Sequence, residues 1–91
     1  MNAADACKLR FPSVPPQAIE EAVSEAERLA WPWNPVTSNG PDAKPVILRV
    51  LFRRFEVPYP LAVDVAIWAS LTPATRAAIE RREEEERHAE H

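Results

Sequence analysis

The residues in this 91-residue chain that are able to do chemistry are few and poorly grouped. His88 and His91 lie in the last four positions, and with Glu84 they share one face of a helix. A carboxylate with two imidazoles is a donor set for a divalent metal. A solvated charged tail uses the same residues without a metal, and that reading is preferred: no metal site and no cofactor are expected. No other histidine is available to activate Ser13, Ser24, Ser38, Ser70 or Cys7 as a nucleophile. The single glycine, Gly40, excludes a glycine-rich phosphate cradle. The chain is expected not to be an enzyme.

Residues suited to recognition are better represented. Arg49, Arg53 and Arg54 form a basic group that suits phosphates or an acidic protein surface. Trp31 and Trp33 flank Pro32, and such a loop either docks on a partner or roofs the core. Glu83, Glu84, Glu85 and Glu86 give the C-terminal segment an acidic face, which would fit a basic groove on another protein. Asp64 stands alone in an apolar run, so it needs either a cationic partner (Arg53, Arg54 or Arg76) or an exposed position.

The elements that position these residues follow from periodicity and proline. Ala18, Ile19, Ala22, Val23, Ala26, Leu29 and Ala30 recur at steps of three and four, with acids on the other side. This predicts an amphipathic helix over 15–30, opened by Pro15-Pro16. Residues 45–56 read as a second helix that is apolar over most of its circumference; as a strand they would mix Ile47 and Leu51 with Arg49 and Arg53 on one face. Val57-Pro58-Tyr59-Pro60 stops it and starts a third over 60–71, and Thr72-Pro73 starts a fourth over 73–88. The expected fold is all-α: one domain over 1–91, four helices around one core. Residues 1–10 are expected to be loose and the acidic tail, 80–91, to fray. Residues 31–44 form the long connection.

Charge is unevenly distributed. The chain carries a formal −3, with five acids against three bases in residues 1–30, four bases against two acids in 31–56, and six glutamates against three arginines in 80–91. A basic middle between acidic flanks favours self-association or a protein partner over a continuous nucleic-acid track. One cysteine permits no intrachain disulfide, and nothing resembles a secretory signal or a membrane span, so a cytoplasmic protein is expected. In size and composition the chain resembles accessory and inhibitor proteins of bacterial viruses and mobile elements, anti-CRISPR proteins among them. That resemblance implies occlusion of a partner surface and assigns no residues. The expected function is protein binding, with a homodimer favoured. The alternative is a helical nucleic-acid-binding or transcription-regulatory protein using Arg49, Arg53 and Arg54. Residues 46–88 resemble a helix-turn-helix in outline, yet its second helix would turn Glu80 and Glu83 to Glu86 toward DNA.

Overall fold

Proline sets most of the helix boundaries. In the computed structural model, which describes residues 1–89, four helices carry proline in the first turn: α2 (Pro16–Leu29), α3 (Lys44–Arg49), α4 (Tyr59–Ser70) and α5 (Pro73–Ala89). The first turn has no intrahelical acceptor for its amides, so the missing proline N–H costs nothing there. Thr72 caps α5 by accepting from the Thr75 amide at 3.2 Å. Asp42 accepts from the Lys44 amide at 3.0 Å.

The fold is all-α, and among the described residues there is no strand. Residues 44–54 are helical, but not uniformly so. Beyond α3 the chain widens into a π-helical segment, Val50–Arg54, and stops at Glu56, which takes φ +54°. The Val57 amide closes this corner by donating to the Leu51 carbonyl at 3.0 Å.

One expectation is corrected at the N-terminus. Residues 1–10 are not loose: Ala3–Arg10 form a further helix, α1, capped by the Asn2 side chain accepting from the Asp5 amide at 2.8 Å. Its buried face is Ala3, Ala4, Ala6 and Cys7. Methyl groups and one thiol have little hydrophobic contrast, so no apolar period was visible there. The core is a closed cycle, in which α1 packs on α2 and α4, and α3 packs on both α2 and α4. Ile19, Ile47, Leu51, Val65 and Cys7 fill its centre. Helix α5 lies outside the cycle, and every residue from 80 to 89 is exposed. The radius of gyration is accordingly 13.3 Å, against about 12.2 Å for a compact chain of this length.

The 31–43 connection is ordered by its own hydrogen bonds. Asn34 Oδ1 accepts from the amides of Val36 and Thr37, at 2.8 and 3.3 Å. The Asn34 and Ser38 amides donate to the Asn39 and Asn34 carbonyls. Trp33 plugs the core at 3% exposure. Gly40 crosses over it with φ +118°, and a Cβ there would lie 2.7 Å from Trp33 Cα. Only glycine has both the backbone freedom and the clearance.

Gly40→Ala should therefore destabilise the protein by about 1–3 kcal/mol, and Trp33→Ala by about 3–5 kcal/mol. Urea denaturation followed by circular dichroism measures both; a Gly40→Ala midpoint equal to wild type contradicts the crossing.

Candidate functional site

Helix α5 is held to the body at three points. Arg76 is buried at 4% exposure, and its Nη1 donates to the Trp68 carbonyl at 3.5 Å. Ile79 packs partly against the core. Glu83 accepts two hydrogen bonds from Arg10, at 3.0 and 2.8 Å, while the Arg10 guanidinium lies 3.8 Å from the centre of the Trp68 ring. This clasp joins the last residue of α1 to the outer helix and covers Trp68. Arg10 holds the Glu83 carboxyl below its usual range, chiefly through these hydrogen bonds. Beside the clasp lies an open groove of about 340 Å³, with Phe11, Ile67, Leu71 and Ile79 as its apolar walls.

Asp64 stands at the edge of this groove, exposed, and joins no ion pair among the described residues. None of the arginines considered for it is its partner. Arg54 bonds Glu21 and Glu25, at 3.3 and 3.4 Å; Arg76 is buried elsewhere. Arg49 and Arg53 remain exposed without an ion pair among the described residues. The basic strip thus has two available cations rather than three. Next to them Phe52 and Tyr59 meet edge to face, ring centres 5.5 Å apart, and both are about half exposed.

The two tryptophans of the loop separate. Trp33 is core, whereas Trp31 is 78% exposed and lines a shallow depression with Pro32, Pro35 and Val36. The acidic residues also separate: Glu83 is engaged by Arg10, while Glu84, Glu85 and Glu86 are exposed. His88 Nε2 lies 3.9 Å from Glu84, and His91 lies outside the described residues. The residues missed by sequence reasoning are Arg10, Phe11 and Trp68. No local signal could have linked them, because Arg10 and Glu83 stand 73 positions apart.

Cys7 is sealed between the helices, with Sγ 3.7 Å from the Val65 carbonyl. Burial pushes its thiol up to about 12, and the nearby Arg76 charge only partly opposes this. Such a thiol is inert packing rather than a nucleophile. Comparison of the chain with family models, with curated proteins and with solved structures gave no match in any of the three.

At pH 8 the native thiol presents roughly a thousandfold less thiolate than the unfolded chain, so disulfide-reagent labelling should be correspondingly slow until guanidinium is added. The raised thiol also makes the fold lose stability as pH rises from 9 toward 12, where the unfolded chain ionises first. For the clasp the sign is opposite. Its contribution is present above the ordinary carboxylate pKa and is lost as pH falls through the lowered Glu83 value. Glu83→Gln at neutral pH should accelerate amide exchange in α5 and leave α2 unchanged; equal acceleration in both helices contradicts an outer helix held by this clasp.

Proposed function

We propose that this is a small non-enzymatic protein that works by binding other protein surfaces, itself included. The observation that carries the reading is Trp31, an indole held 78% exposed on a backbone that is otherwise pinned. The Asn34 turn, the Ala3 amide donating to the Pro35 carbonyl at 2.7 Å, and Ser38 Oγ donating to the Ala69 carbonyl at 3.3 Å all tie this loop to the helices. Exposing tryptophan on a rigid loop gives nothing to the fold, but it removes the ordering cost that a flexible anchor would face on binding. Occlusion of a partner surface, in the manner of the viral and mobile-element inhibitors that the chain resembles, fits this build. So does a reducing cytoplasm, given one sealed cysteine. No described helix is long and apolar enough to cross a membrane.

The nucleic-acid reading retains Arg49 and Arg53 but has lost Arg54 to Glu21 and Glu25. Two cations support only a shallow salt dependence.

The test is a photo-crosslinking residue in place of Trp31, used in the organism that encodes the chain. One discrete adduct is expected, competed away by wild-type protein and not by Trp31→Ala. Trp31→Ala should unfold at the wild-type midpoint. Absence of a competed adduct, with a mobility shift at low salt that Arg49→Ala/Arg53→Ala abolishes, would favour nucleic acid instead.

A further inference from the structure

Helix α4 carries a ridge of apolar side chains that the rest of the fold covers only in part. Tyr59, Val63, Ile67 and Leu71 recur at steps of four; Tyr59 and Ile67 are 54% and 45% exposed, the other two half-buried. The ridge runs the length of a 12-residue helix, about 18 Å. Its two ends differ in charge. At the Tyr59 end stands Phe52, and on either side of it in sequence lie Arg49 and Arg53, the exposed cations with no ion pair among the described residues. At the Leu71 end stand Ile79 and the projecting α5, whose residues 80–86 hold two arginines and five glutamates, of which Glu83 is engaged by Arg10.

We propose that a second copy of this chain covers this ridge, α4 against α4, antiparallel about a two-fold axis at the level of residue 65, midway between Tyr59 and Leu71. The proposal rests on the self-binding part of the reading above and names its surface. A two-fold interface is self-complementary, so each feature at one end must meet its complement from the other end. Antiparallel α4 helices do this twice: Arg49 and Arg53 of each copy come beside the acidic α5 of the other. A parallel pairing would set like charges together at both ends. The apolar ridge supplies burial and the two charged corners supply direction. Asp64, the one acid on α4 and in no ion pair among the described residues, flanks the axis in both copies, so the two carboxylates repel and limit affinity.

Sedimentation equilibrium tests this on the full chain. Wild type should form a dimer that weakens with added salt yet persists. Ile67→Asp should weaken it at least tenfold while keeping the wild-type helical spectrum; if that variant unfolds, Tyr59→Ala, which truncates a half-exposed ring, serves instead. Asp64→Asn should tighten it. Arg49→Glu/Arg53→Glu and Glu80→Arg/Glu84→Arg should each be impaired alone, and an equimolar mixture should recover the dimer. A wild-type monomer at all concentrations overturns both this proposal and the self-binding reading, leaving the Trp31 reading to its own test. A dimer indifferent to Ile67→Asp and Tyr59→Ala overturns only the surface. Failure of the mixture to recover, or an Asp64→Asn dimer no tighter than wild type, overturns the antiparallel register.

Discussion

The cycle of four helices closes through alanine. Ala3, Ala4 and Ala6 on α1, Ala18, Ala22 and Ala26 on α2, and Ala62, Ala66 and Ala69 on α4 are all buried. Small side chains let helix backbones approach closely and fill the space between them without large residues. The interior is correspondingly thin. Ile19, Ile47, Leu51 and Val65 are fully buried in what volume remains, with Val14, Val23, Val50 and Val57 beside them, and Trp33 and Trp68 are buried as well. Few further large apolar side chains find room inside. Leu9, Leu29, Trp31, Phe52, Tyr59 and Ile67 therefore stand on the surface. The accessible surface of 5845 Å² exceeds the roughly 5,400 Å² expected of a monomer of this mass. Close packing inside and apolar excess outside are one constraint seen from two sides.

This also decides what was legible in the sequence. Helices α2 to α5 were readable because prolines mark their starts, and because α2 alternates alanine and isoleucine with glutamate at helical spacing. The charged tail was readable as a helix, and among the described residues it has no core face beyond Ile79. Helix α1 was not readable, since a face of three alanines and a cysteine looks the same as a loop of small residues. The apolar excess of residues 46–71 was legible as well, but not its location. It resides in the outer ridge of α4 and the aromatic corner, whereas Ile47, Val50 and Leu51 are satisfied internally.

The candidate surfaces were legible as residue types and illegible as geometry. The arginine strip was expected to act as three, but Arg54 reaches across to two α2 glutamates. The tryptophan pair was expected to share one fate, and Gly40 divides it by holding Trp33 down. Arg10 gave no signal at all. Its role comes from meeting Trp68 and Glu83 together, and no spacing rule reaches across 73 residues.

The seal between α1 and α4 has a consequence for how the chain is made. Cys7 contacts Val65 across 58 positions, whereas α3 and α4 adjoin in sequence and share the most extensive contact in the fold. Local contacts form early and distant ones late, because a long loop must close first. During folding α1 can meet its neighbour α2 early, but the other half of its site is supplied only by α4. The side of α1 that faces α4, Cys7 included, is therefore the last part of the core to be sealed. Only small side chains wait there, so the exposed face offers little to which other nascent chains could stick.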